Sequence, residues 1–186
     1  MNRREVTKNL ALMFGANLIG PIRKAIADNF DPIKLGGANI FTNTQKDHIT
    51  AITEVIIPTT NTPGAKEANV VVFIEGMLQE WYEKKEKDRF TDGLSGFVSF
   101  CNKKYKNHFT ELAQRDQVAC IQALNSNEIK TLDDGGESFF SQIKQLTIFG
   151  YYTSEIGMTV ERKYLPNPGR YDGAYPYNKV NTLFTS

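Results

Sequence analysis

Few residues in this sequence are of types that carry chemistry, and their spacing decides what they can do. Two histidines occur, His48 and His108, on different expected elements and without a neighbouring cysteine or paired carboxylate. A histidine isolated in sequence builds no acid–base or metal site unless the fold supplies partners, so a core or surface role is expected for each. Asp133-Asp134-Gly135-Gly136-Glu137 sets three acids beside glycines. It lacks the alternating ligand spacing of a calcium loop, and a helix-starting turn is expected there. No Gly-x-Gly-x-x-Gly follows a strand, and neither a Gly-Lys-Ser/Thr phosphate loop nor a Gly-x-Ser-x-Gly elbow occurs. A hydrolase or lyase built on His108 would need acids brought to it by the fold, and no motif announces them.

Cys101 and Cys120 are the only cysteines, too few for a disulfide framework or a paired-cysteine zinc site. They fall on consecutive, antiparallel expected helices at unequal distances from the turn near Asn107. At a rise of about 1.5 Å per residue that offset works against a bridge between them unless the helices cross steeply. Two buried free thiols are expected. In an exported protein the alternative is an intersubunit disulfide from one of them.

The rest of the sequence has to form the body that positions these residues. A chain of 186 residues fits one domain and can bury roughly 70% of the surface it exposes when unfolded. It is 40% hydrophobic and 23% charged, the profile of a folded protein and not of a disordered one. A formal net charge of +1 provides no field to attract nucleic acid. Twelve Phe, eight Tyr and one Trp are the compositional excess and supply core, interface or both.

Periodicity predicts an all-α body. Thr44-Gln45-Lys46-Asp47 has the form of a helix start, and Ile49, Ile52, Val55 and Ile56 follow at helical spacing up to Pro58. Thr59-Thr60-Asn61-Thr62-Pro63-Gly64 is a turn by composition. Helical spacing resumes from Ala65 to about Lys87, where the charges Glu83 to Lys87 form a solvated face. Phe90, Leu94, Phe97, Val98, Cys101 and Tyr105 mark the next helix, and Leu112, Val118, Ile121 and Leu124 the one after it, with Thr110 as its cap. Residues 125–136 break into loop, and Phe139 to Gly150 form a strongly apolar helix. From about 151 the chain is aromatic, proline-spaced and irregular, so it has to drape over this core or over a partner.

The first residues have the order of an export signal, with Arg3-Arg4 and Lys8 before a short apolar run from Leu10 to Pro21. Paired arginines in that position resemble a twin-arginine signal. The alternative is an amphipathic first helix with solvated arginines. The run is well short of the roughly 20 residues that span a bilayer. The expected organisation is therefore a signal or N-terminal helix over 1–27, a linker over 28–43, and one helical domain over 44–186.

Read together, Arg3-Arg4, Ile56-Ile57-Pro58-Thr59-Thr60-Asn61-Thr62-Pro63-Gly64-Ala65, Trp81-Tyr82, Gly150-Tyr151-Tyr152-Thr153-Ser154-Glu155-Ile156-Gly157 and Tyr164-Leu165-Pro166-Asn167-Pro168-Gly169-Arg170-Tyr171-Asp172-Gly173 resemble the gluconate 2-dehydrogenase subunit 3 family. The resemblance implies a small, non-catalytic helical subunit bound to an FAD-dependent flavoprotein of the glucose-methanol-choline type. That partner oxidises a sugar or sugar acid and passes electrons onward, often to a cytochrome c. The small subunit carries no flavin and no haem ligand, supports folding, stability and export of the catalytic subunit, and resides in the periplasm. Interfaces favour Tyr and Arg, so Tyr151, Tyr152, Glu155, Tyr164, Arg170 and Tyr171 are the expected partner contacts. The competing expectation is that these rings seal the chain's own core. A cytosolic helical adaptor without an export role is the alternative function.

Overall fold

Thr42 starts the body. In the computed structural model its hydroxyl accepts the backbone N–H of Gln45 at 3.3 Å, and the Gln45 amide oxygen accepts the Thr42 N–H at 2.9 Å. This reciprocal cap satisfies two donors at the start of α1, Asn43–Ile56. The cap lies two residues before the expected Thr44, because the Gln45 side chain spans three residues backward. The structure describes residues 40–126, 129, 137–165, 169, 174, 176–179, 181 and 184–185, all within a unit spanning Ala38–Ser186. Arg3, Arg4, the 1–27 segment, the acidic Asp133–Gly136 turn, Arg170 and Tyr171 lie outside the described residues.

The second helix starts later than its apolar spacing predicts. Residues 65–69 coil as turns, Asn69 takes a left-handed φ of 52°, and α2 runs Val70–Trp81. Asparagine is among the few side chains that tolerate that conformation at modest cost. The run expected to reach Lys87 also breaks, at Tyr82–Glu83. There Glu83 and Glu86 form a second reciprocal cap, so the charged stretch is the first turn of α3, Lys84–Tyr105. Phe90, Gly93, Leu94, Phe97 and Cys101 form its buried stripe. Lys106 ends α3 in a left-handed conformation and donates its N–H to the Asn102 carbonyl at 3.0 Å.

A single 3-10 turn, Phe109–Glu111, leads to α4, Gln114–Asn125. Thr110 sits in that turn and not at the expected cap. Position 113, next to α4, is an alanine that caps nothing with its side chain. Ser138 accepts the Ser141 N–H at 3.2 Å and opens α5, Phe139–Thr153. Beyond it come one π-helical turn, Gly157–Glu161, and a two-residue strand β1, Lys163–Tyr164, paired in parallel with β2, Phe184–Thr185. The part of the tail that is described is therefore folded back on itself by short regular pieces.

The architecture is an all-α bundle in which α1 packs against α2, α4 and α5. Its core is aromatic. The Phe90 ring sits 5.8 Å from Phe41 and meets Phe139 edge-on at 5.1 Å, and Phe97 meets Phe109 edge-on at 5.0 Å. Gly93 lets α3 and α5 approach: a Cβ there would lie 2.5 Å from the Phe139 Cβ. No described helix is long and apolar enough to cross a membrane.

The connector between α3 and α4 changes the geometry expected for the cysteines. It spans residues 106–113 and does not turn at a point near Asn107, so Cys101 lies four residues before the end of α3 and Cys120 six residues into α4. Measured from the facing helix ends, the offset falls to two residues, about 3 Å at 1.5 Å per residue. Both thiols are free and fully buried. An intersubunit bridge from either sulphur would require a buried thiol to reach the surface.

Candidate functional site

The turn after α1 is built around a carboxylate. Glu54 accepts the Thr59 N–H at 2.8 Å, the Thr59 hydroxyl at 2.7 Å and the Lys66 N–H at 2.9 Å. Two backbone donors of a tight turn are thereby satisfied without a neighbouring strand or helix. The Thr59 hydroxyl oxygen in turn accepts the Gly64 N–H at 3.1 Å. Only glycine fits at 64, since a Cβ would lie 2.5 Å from the Thr59 nitrogen and 2.7 Å from both Glu54 oxygens.

The far end of the chain closes over this turn. The Tyr151 hydroxyl donates to the Pro63 carbonyl at 2.7 Å, and the Thr62 hydroxyl donates to Glu161 Oε2 at 2.6 Å. Two motifs that are distant in sequence are thus one clasp in space. Gly150 allows Phe73 of α2 to lie against α5, where a Cβ would be 2.6 Å from the Phe73 ring. The Ser154 hydroxyl donates to the Tyr151 carbonyl at 2.6 Å and accepts the Gly157 N–H at 3.1 Å, turning the chain out of α5.

The residues expected to contact a partner divide sharply. Tyr151 is 1% exposed and belongs to the core, with its pKa raised chiefly by burial; this corrects its assignment to a docking surface. Its ring is drawn inward because the hydroxyl finds a buried acceptor in Pro63. Tyr152 is half-buried, with the Arg162 guanidinium 4.3 Å above its ring centre. Glu155 is exposed, and its carboxylate has no hydrogen bond or ion pair among the described residues. Tyr164 is 44% exposed on β1.

An apolar ridge beside these residues is absent from the expected contacts. Phe73, Met77 and Trp81 recur every fourth residue along one side of α2, and Trp81 is 79% exposed. Ile148 and Phe149 of α5 are 40% and 57% exposed, and the Phe149 ring packs 5.7 Å from Phe73. The ridge therefore crosses from α2 to α5 and continues to Tyr152. Its signal in the sequence is the surplus of apolar residues in α2, whose polar side chains are Glu75, Gln79 and Glu80, and the surplus apolar pair in α5, more than one buried face can use. Glu54 and Glu161 were also not singled out; the signal for them is a Thr- and Gly-rich turn whose donors need an acceptor.

His48 and His108 come together, with ring centres 6.5 Å apart. No carboxylate hydrogen-bonds to either imidazole among the described residues, and no group of three or more His, Cys, Asp or Glu there could hold a metal. His48 is buried and its Nδ1 has no hydrogen-bond partner. Burial first, and the neighbouring His108 charge second, hold its pKa below the usual 6.5, with Asp47 pulling the other way. Below pH 6.5 the unfolded chain takes up a proton that native His48 resists, so stability falls with acidification until the depressed native pKa is reached. Denaturant midpoints should drop as the pH passes below 6.5, and His48→Gln should flatten that slope; an unchanged slope would rule out His48 as its source.

No curated protein and no solved structure matches the chain. A family model described as gluconate 2-dehydrogenase subunit 3 matches residues 43–169, more than half of the 186 residues, and takes in the whole clasp from Glu54 to Glu161. With the 56–65 turn and the 150–157 stretch locked together as one unit, the chain belongs to the gluconate 2-dehydrogenase subunit 3 family.

Proposed function

We propose that this protein is the non-catalytic small subunit of an FAD-dependent sugar or sugar-acid dehydrogenase complex. In this reading it docks on a flavoprotein of the glucose-methanol-choline type through the α2–α5 ridge and the adjoining Tyr152, Glu155 and Tyr164. The observation that carries it is the ridge itself: contiguous, partly aromatic surface with Trp81 and Phe149 largely in water, on a chain of a family described as a subunit. A partner that covers those rings recovers their burial, at roughly 25 cal/mol per Å² of apolar surface. FAD and the redox chemistry belong to the partner, which hands electrons on to a cytochrome c.

The export role is part of the same proposal and rests on Arg3-Arg4. A twin-arginine signal carries folded proteins, so a small subunit bearing it can take a folded flavoprotein along into the periplasm. Affinity purification of the full tagged chain from its native cells tests the complex. A flavin-containing oxidoreductase should co-purify in equal amount, with sugar-dependent dye reduction, from the periplasmic fraction. A folded chain that purifies alone from the cytoplasm would overturn the proposal.

A further inference from the structure

Arg162 lies at the end of the ridge with its charge unanswered. Its guanidinium carbon is 4.3 Å above the centre of the Tyr152 ring, within the range of a cation–π contact, and the residue is half-buried. No carboxylate, carbonyl or hydroxyl among the described residues accepts a hydrogen bond from that guanidinium. The acids on either side of the same π-turn do not supply one: Glu161 receives the Thr62 hydroxyl at 2.6 Å, and Glu155 stays exposed and unpaired. The backbone that presents Arg162 is fixed on both sides. Its own N–H donates to the Gly157 carbonyl at 3.2 Å and closes the π-turn, Glu161 before it is held in the clasp, and Lys163 after it enters β1. The ring takes up one side of the guanidinium, and its fork of N–H donors is left unused.

We infer that Arg162 is the receptor for a carboxylate side chain of the catalytic subunit, a contact that rests on the reading of the ridge as the docking surface. Hydration is the reason. A subunit that covers Tyr152 also covers the charge lying on its ring, and a guanidinium withdrawn from water without an anionic acceptor is costly. Glu161 is already committed to the clasp, so the acid comes from the partner. A planar fork favours a carboxylate over a lone carbonyl, because both oxygens accept at once and the charges cancel. Tyr152 holds the side chain in place beforehand, so less rotamer freedom is lost when the acid arrives. Arg162 thereby sets direction as well as strength. An apolar ridge accepts any complementary apolar face, whereas a fixed cation at one end of it favours a partner with an acid at the matching place.

The probe is the flavoprotein that the full tagged wild-type chain captures from its native cells, separated from it and titrated back onto purified variants. Arg162→Met keeps an apolar stem over Tyr152 and should bind at least about thirtyfold more weakly. Arg162→Lys keeps the charge without the fork and should fall between the two. Wild-type affinity should drop between about 50 and about 500 mM salt, and that of Arg162→Met should drop much less. The salt slope separates a charge pair from a packing role, in which the Met variant would keep the wild-type slope. Circular dichroism and melting temperature serve as folding controls. Should Arg162→Met fail to fold, Arg162→Gln, which keeps N–H donors without the charge, carries the same expectations. Equal binding by the uncharged variant, or a salt slope identical to the wild type, would overturn the inference and leave the ridge standing as the docking surface. A wild-type chain that captures no flavoprotein would remove the docking reading and the inference together.

Discussion

A Phe149→Lys chain is expected to fold with little change in stability and to lose the catalytic subunit. Phe149 is 57% exposed, so its truncation removes little core, and a lysine four residues from the end of α5 suits the negative end of the helix dipole. Its methylene stem can still lie on Phe73. What it cannot do is enter an apolar interface without losing hydration of its ammonium group. Aromatic anchors at the centre of an interface typically contribute about 2 kcal/mol or more, roughly thirtyfold in affinity. Trp81→Lys should act in the same direction from the other end of the ridge, while Val118→Lys, exposed on α4, should leave capture unchanged. The measurement is co-purified flavoprotein per tagged chain, with melting temperature as the folding control. Full capture by a folded double variant Trp81→Lys, Phe149→Lys would remove the ridge from the interface.

Gly157→Ala should produce the largest loss of stability. A Cβ at 157 would lie 2.0 Å from the Tyr151 carbonyl oxygen, 2.8 Å from its carbon and 2.9 Å from the Tyr152 Cα. All three are backbone atoms at the end of α5, so no side-chain rotation relieves the contact. The π-turn has to move, and with it go the Gly157 N–H bond to Ser154 and the Thr62 bond to Glu161. Overpacking typically costs about 1–3 kcal/mol, and each lost hydrogen bond about 1 kcal/mol, so a total near 3 kcal/mol is expected. For a chain of this size that is roughly 6–12 °C in melting temperature. Urea midpoints of the two proteins measure it; a loss below about 1 kcal/mol would mean that the π-turn relaxes at little cost.

The helices carrying a single apolar stripe were legible because their burial repeats at helical spacing, as in Phe90, Leu94, Phe97 and Cys101. Their ends were less so. The break at Tyr82–Glu83 hides inside a run of charge, since a glutamate pair that caps a helix looks the same in sequence as one that is merely solvated. The site was legible as strings but not as geometry. Nothing near Tyr151 indicates that its hydroxyl bonds Pro63, 88 positions earlier, so an interfacial and a core tyrosine were equivalent until the fold joined them. The cysteines were legible as two buried free thiols, and both are free and buried. The ridge was overlooked because all of its apolar residues fit a helical pattern, and excess is visible only after the buried face is known.

The clasp also sets an order of events. Thr62 and Pro63 leave the ribosome long before Tyr151 and Glu161, whose bonds to them span 88 and 99 positions, respectively. Until then the 57–66 loop has its carboxylate centre but no lid, and Phe149 does not yet lie on Phe73. Contacts this far apart in sequence close late. The α2–α5 ridge therefore takes shape only once Phe149 has been made and has packed on Phe73.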